Sequence, residues 1–152
     1  MGSSDHHLAQ FNIAHMIAPL DDPIMAGFAA RLDEINAIAD CSPGFVWRLQ
    51  TEDGDATAIR VFDDPLLLVN MSVWESAEDL HYFMFGTDHK NIMPRGREWF
   101  VPMDQPKVAC WWIEEGSIPT LHEGRNRLEY LQQNGQSDYA FGYQNRVYNS
   151  KQ

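Results

Sequence analysis

Apolar and polar positions alternate along four stretches of the chain and recur at helical spacing along others. Leu8–His15 carries Gln10 and Asn12 on one parity and Phe11 and Ile13 on the other, which reads as a first strand. After Ala18-Pro-Leu-Asp-Asp-Pro23, Asp22 is placed to cap a helix whose first turn holds Pro23, where a missing amide hydrogen costs nothing. Ile24, Phe28, Leu32, Ile35 and Ala39 follow every three or four residues, until Ser42-Pro-Gly44 ends the helix. Phe45–Gln50 reads as a second strand, and Thr57–Phe62 as a short strand or an ordered loop between two acidic turns. Leu66–Trp74 is the strongest strand pattern, with Leu67, Val69, Met71 and Val73 on one side and Leu66, Leu68, Asn70, Ser72 and Trp74 on the other.

Ser76 and Asp79 make a variant capping box for a second helix, with Leu80, Phe83 and Met84 as its buried stripe. Gly86 interrupts it, Thr87 recaps it, and a further helical piece is expected from Asp88 toward Phe100, kinked or broken where Pro94 and Gly96 fall. Lys107–Ile113 is a fourth strand, with Trp111 and Trp112 facing opposite sides. Thr120 and Glu123 box the start of a last helix carrying Leu121, Leu128 and Leu131, and Gly135 closes it. Residues 1–7 are expected to be a disordered N-terminus or a tag remnant. Residues 8–135 form one domain, and residues 136–152 a tail that is disordered or, through Tyr139–Tyr143, packed on a partner subunit.

The order strand, helix, strand, strand, helix, strand is the split β-α-β arrangement. The expected class is α+β: a ferredoxin-like four-stranded antiparallel sheet with two helices on one face and an added C-terminal helix. The other face needs solvent or another cover. If the parities of Gln10, Asn12, Arg48, Asn70 and Ser72 coincide, one face bears a band of hydrogen-bonding groups. Such a band is either a wet face or dimer interface, or the lining of a ligand cavity.

Composition narrows the partners. Eleven basic against 22 acidic residues give a formal charge of −11, which opposes approach to nucleic acid or an anionic membrane. No apolar run reaches the length of a membrane span and no signal peptide is visible, while Cys41 and Cys110 form no motif, so a reducing, cytoplasmic location is expected. Walker, dinucleotide, Cys-x-x-Cys and Gly-x-Ser-x-Gly patterns are absent, and none of the six histidines has helical metal-site spacing, so no metal is expected.

His89 follows the helix break beside Tyr82, Phe83, Phe85, Trp99 and Phe100; it is a candidate general base or hydrogen-bond donor, or a helix N-terminal histidine facing solvent. Arg48 is a candidate anion holder, or the partner of one of the many acids. Asn12 and Asn70 join them as candidate stabilisers of an anion, with Trp47, Trp74, Phe83 and Trp99 as walls against a substrate.

Leu8-Ala-Gln-Phe-Asn-Ile-Ala14, Ser42-Pro-Gly-Phe-Val-Trp-Arg-Leu-Gln50, Val69-Asn-Met-Ser-Val-Trp-Glu-Ser76, Arg97-Glu-Trp-Phe100 and Trp111-Trp112 with Ile118-Pro119-Thr120 resemble the DUF3291 family, over about Leu8 to Gly135. That family is grouped with the dimeric α/β-barrel superfamily, so the resemblance implies a homodimer in which two sheets close a barrel. The superfamily spans antibiotic-biosynthesis monooxygenases, haem-degrading oxygenases, chlorite dismutases and small cyclases or isomerases, and a fold does not choose among reactions. Of the residues used by its haem-degrading branch, Asn12 matches the strand asparagine. Phe83 falls at the tryptophan position and Met93 near the histidine position. His89 resembles the histidine that monooxygenase-type members carry after the helix break, whereas Pro94 and Gly96 depart from the smooth helix of the family.

The function that the resemblance implies is a cofactor-independent enzyme, monooxygenase-like or a cyclase or isomerase, acting on an aromatic or polyketide-like compound. The alternatives are a non-catalytic dimer that binds an apolar ligand, and a haem protein with His89 as axial ligand.

Overall fold

The computed structural model describes residues 6–19, 21–49, 66–86, 99–102 and 105–142. β1 (His6–Met16) begins two residues before the expected Leu8, because His6 and His7 find backbone partners opposite Glu114 and Ile113. Two residues of the segment expected to be disordered are therefore part of the sheet. Asp22 caps as expected, its carboxylate accepting from the Ile24 amide at 3.0 Å. The turn Pro23–Met25 is 3-10, and α1 runs Ala26–Asp40.

β2 (Phe45–Arg48) pairs with β3 (Leu67–Trp74) through a bulge between Phe45 and Trp47. Gly44, which leads into β2, sits at φ 77°, and a Cβ there would overlap the Asp79 carboxyl group, so glycine answers both demands. α2 (Ala77–Gly86) starts under the Ser76 hydroxyl, which accepts from the Asp79 amide at 3.1 Å. The possible strand Thr57–Phe62 lies outside the described residues, as does most of the helical piece expected toward Phe100.

Phe100 itself is not helical. It belongs to β4 (Phe100–Val101), which pairs with the last two residues of β1. Its ring meets Phe28 edge-on at 5.0 Å, so the pairing places an aromatic side chain under α1. β5 (Val108–Glu114) and α3 (Leu121–Asn134) follow. Thr120 caps α3, accepting from the Glu123 amide at 3.1 Å, while the Glu123 carboxylate turns to Arg127 at 2.9 Å. Gly135, at φ 83°, returns its N–H to Leu131 and ends the helix.

The strands lie in the order β2-β3-β1-β5, every neighbouring pair antiparallel, with β4 on the end of β1. This is the ferredoxin-like order anticipated from the element sequence. α1 and α2 share one face. There Ile35, Ile38, Ala39, Leu80, Phe83 and Met84 pack with Leu8, Trp74 and Cys110, and Phe28 and Leu32 pack with Met16, Leu68 and Trp99.

Part of the opposite face is covered within the chain itself. Leu128 and Leu131 of α3 lie in one cluster with Phe11, Ile13, Val69, Met71 and Trp111. An added helix with an apolar stripe buries that stripe on the nearest apolar surface, and here that surface is its own sheet. After α3 the chain returns to the edge of β5. Cys110 and Phe141 exchange backbone bonds of 2.6 and 3.0 Å, and Ala140 and Phe141 are fully buried. Within the described residues the anticipated Tyr139–Tyr143 strand is thus a single bridge on its own subunit.

At Gly124 α3 lies close against the sheet: a Cβ there would stand 2.5 Å from Phe11 Cδ1 and 2.8 Å from Cγ. Phe11 is fully buried and cannot yield. Gly124→Ala should therefore overpack this contact and lower stability by about 1–3 kcal/mol, read from the urea midpoint, despite alanine's better helix propensity.

Candidate functional site

Strand register decides which polar residues meet. Arg48, Ser72, Gln10 and Cys110 stand opposite one another across four strands and form one rung. Asn70, Asn12 and Val108 form the next, about 7 Å further along. Both rungs lie on the face beneath α1 and α2, because Trp74 and Leu8, on the same parity, pack against those helices. The parities singled out in the sequence therefore do coincide.

Apolar ground lies on both sides of this polar band. On one side Phe45, Trp74, Leu8 and Trp112 make an adjacent rung, with Phe83 stacked on Trp74 at 5.1 Å and Phe45 edge-on to it at 5.5 Å. On the other side Met16, Phe28 and Trp99 gather, the last two rings 5.7 Å apart. Ile35 of α1 packs on both clusters.

The band is internally bonded. Gln10, only 3 % exposed, donates from Nε2 to Ser72 Oγ at 2.8 Å and to Asn70 Oδ1 at 3.0 Å. The Trp74 indole donates to the same Ser72 oxygen at 2.9 Å. Burying such groups unpaired costs about 1–3 kcal/mol each, so the network is what lets them sit under a helix layer. Asn70 is the exception in exposure. It lies in the middle of a strand flanked by β1 and β2, on the covered face, and yet it is exposed while Ser72 beside it is buried. The helix layer therefore leaves an opening over Asn70, with the half-buried Asn12 paired directly opposite.

Asn12 and Asn70 stand opposite each other on the second rung, Trp74 and Phe83 belong to the aromatic cluster on one side of the band, and Trp99 to the cluster on the other. Trp74 and Trp99 are buried, at 0 and 3 % exposure. Arg48 reaches the first rung, but its guanidinium is held by Asp40 at the end of α1, Nε to Oδ1 at 2.8 Å and Nη2 to Oδ2 at 3.3 Å. The acid-pairing alternative for Arg48 is thus the arrangement seen. Trp47 stands apart. A neighbour of Arg48 in an extended strand points the other way, and Trp47 packs with the cluster around Phe11 beneath α3, so it does not line this opening. His89 lies outside the described residues.

Gln10 and Ser72 were legible as part of the polar parity but carried no role in the sequence. The available signal was a small polar residue in the most apolar strand, directly opposite a glutamine. Cys110 closes the rung as an inert group, because burial pushes its thiol up and keeps it neutral. Among the described residues no three His, Cys, Asp or Glu side chains gather as metal ligands, and no helix is long and apolar enough to cross a membrane.

Comparison with known proteins gives one family match: the profile described as "Domain of unknown function (DUF3291)" covers residues 7–152. No match among curated proteins reaches significance. Among solved structures, PA3566 from Pseudomonas aeruginosa is similar at 14 % identity and a TM-score of 0.49, over 76 % of this chain and 100 % of that one. SnoaB, a cofactor-independent oxygenase from Streptomyces nogalater, is similar at 14 % identity and a TM-score of 0.47, over 78 % of this chain and 98 % of that one. A protein of unknown function from Nitrosomonas europaea shares 12 % identity at a TM-score of 0.46, over 76 % of this chain and 95 % of that one.

Proposed function

The chain belongs to the DUF3291 family, and from that premise we propose that it is a small-molecule enzyme whose recess holds an aromatic or polyketide-like compound and converts it through an anion. The observation that carries this reading is Asn70, an exposed amide on a covered sheet face, tethered by Gln10 and set between two aromatic clusters. Few fixed polar groups among apolar walls are what orient a small ligand.

The chemistry begins with removal of a proton from an acidic C–H or phenol. His89 is the proposed base, on its place in the sequence beside the aromatic residues. Asn70 and Asn12 stabilise the oxygen on which the negative charge collects, with Arg48 at the rim. In the monooxygenase course the carbanion adds to molecular oxygen and gives a hydroperoxide. Loss of water then leaves a carbonyl: the carbon is oxidised, one oxygen atom stays in the product, and the other leaves in water. In the cyclase or isomerase course the same anion attacks a carbonyl of its own molecule, or is reprotonated at another carbon.

Assembly as a homodimer is part of this proposal. Val46, Trp47, Leu49 and Leu67 offer a half-buried apolar strip on the β2–β3 side of the face that α3 shares.

The test is oxygen uptake and product absorbance with a panel of anthrones and hydroquinones. Wild-type protein should convert at least one member, and His89→Ala should lose about 10²-fold or more of that rate, the usual weight of a general base. Equal rates would remove His89 from the mechanism. Saturable binding without turnover would support a ligand-binding protein instead, and a Soret band on haem titration would overturn the cofactor-free course.

A further inference from the structure

We infer that Gln10 is a positioning residue which, acting through Asn70, makes the recess select ligands by an acceptor oxygen and favour that oxygen more as it becomes anionic. The inference rests on the reading above that the recess takes an oxygen-bearing aromatic ring. One group in the network has a polarity with no alternative. An indole N–H only donates, so the 2.9 Å contact from Trp74 Nε1 makes Ser72 Oγ an acceptor. Gln10 Nε2 donates to that oxygen at 2.8 Å and to Asn70 Oδ1 at 3.0 Å, which uses both hydrogens of its amide nitrogen.

The consequence falls on Asn70. With Oδ1 engaged by Gln10, its NH₂ group is the end turned to the exposed side. Turning Asn70 over alone would set two NH₂ groups against each other, so the polarity reverses only if both amides turn together. Ser72, accepting twice, likewise keeps its own hydrogen to give away. At Asn70 the network thus spends the acceptor internally and leaves the hydrogens for the exposed side. An N–H donor held in place binds a carbonyl oxygen, and binds a phenolate or enolate oxygen more strongly, because charge-assisted bonds are the stronger class. The proposed ligand class is therefore a planar aromatic compound bearing a carbonyl, phenolate or enolate oxygen.

Alizarin, a hydroxylated anthraquinone whose neutral and anionic forms differ in colour, is a direct probe. Wild-type protein should favour the bound anion over the neutral dye by about tenfold relative to water, a fall of one unit in the dye's apparent pKa. Gln10→Glu, when ionised, places an acceptor-only carboxylate in the network, so the comparison is read above the pH at which that buried carboxyl gives up its proton. Asn70 must then turn its NH₂ inward, and the preference should reverse to the neutral dye. Gln10→Met, uncharged and of similar shape, guards against misfolding of the buried glutamate; it removes the lock and should lose most of the tenfold preference while still binding dye. A merely structural role would change dye affinity without changing the ratio of the two forms. Dye binding with a wild-type ratio in Gln10→Met overturns the role of Gln10 alone. Failure of the wild-type protein to bind alizarin or any anthrone of the panel overturns the aromatic-recess reading and this inference with it.

Discussion

Trp74→Ala is expected to remove about 3–5 kcal/mol of folding stability, measured from urea unfolding by circular dichroism. Trp74 is fully buried at the centre of the cluster that joins the sheet to α1 and α2. Its ring stacks on Phe83 at 5.1 Å and meets Phe45 edge-on at 5.5 Å, so truncation opens a cavity walled by rings that cannot collapse into it. The loss also strips Ser72 Oγ of one of its two donors. Trp74→Phe separates these contributions. It keeps an aromatic ring against Phe83 and removes the N–H, so beyond the loss in ring size about 1 kcal/mol should go with the hydrogen bond. A Trp74→Ala loss below about 1 kcal/mol would mean that the cluster repacks freely and that Trp74 does not anchor the site.

Asn70→Ala is expected to act the other way round, costing far less stability than Trp74→Ala and lowering kcat/KM on the best anthrone or hydroquinone substrate by about 10²–10³-fold. That is the weight of one preorganised donor to a developing oxyanion. Stability should fall by about 1 kcal/mol, the low end of the cost of freeing a buried donor, because Gln10 loses its Asn70 acceptor and keeps its bond to Ser72, while the exposed Asn70 position admits water. The contrast with Arg48 sharpens the expectation. The Arg48 guanidinium is already engaged by Asp40 through two contacts, whereas Asn70 turns its NH₂ to the open side of the recess. Wild-type turnover in Asn70→Ala would remove the asparagine from the mechanism and leave the oxyanion to other groups.

The elements themselves were largely written locally. Alternation in β1, β3 and β5, the caps at Asp22, Ser76 and Thr120, and the stop at Gly135 each depend on groups within a few residues of one another, and all stand where the sequence placed them to within about two residues. Phe100 departed from its helical expectation for a nonlocal reason, since its partners are Met16 and Phe28, far back in the chain. The cover that α3 gives to part of the second face is nonlocal in the same way. An apolar stripe on the last helix says that it must be buried, and not against which surface.

The site divides along the same line. Sequence alone determined the strand and helix order, the family resemblance, and the presence of Gln10, Asn12, Asn70 and Ser72 at matching parities, because side-chain alternation is a property of each strand by itself. Tertiary structure alone decided that these parities share a face, that Trp47 lies beyond it, that Asp40 holds Arg48, and that Asn70 is left open with its amide oriented by Gln10. Those outcomes depend on register and on pairings such as the 60-residue span from Gln10 to Asn70. Hydrogen bonds and packing between distant segments set both, and neither leaves a trace in the local pattern of either strand.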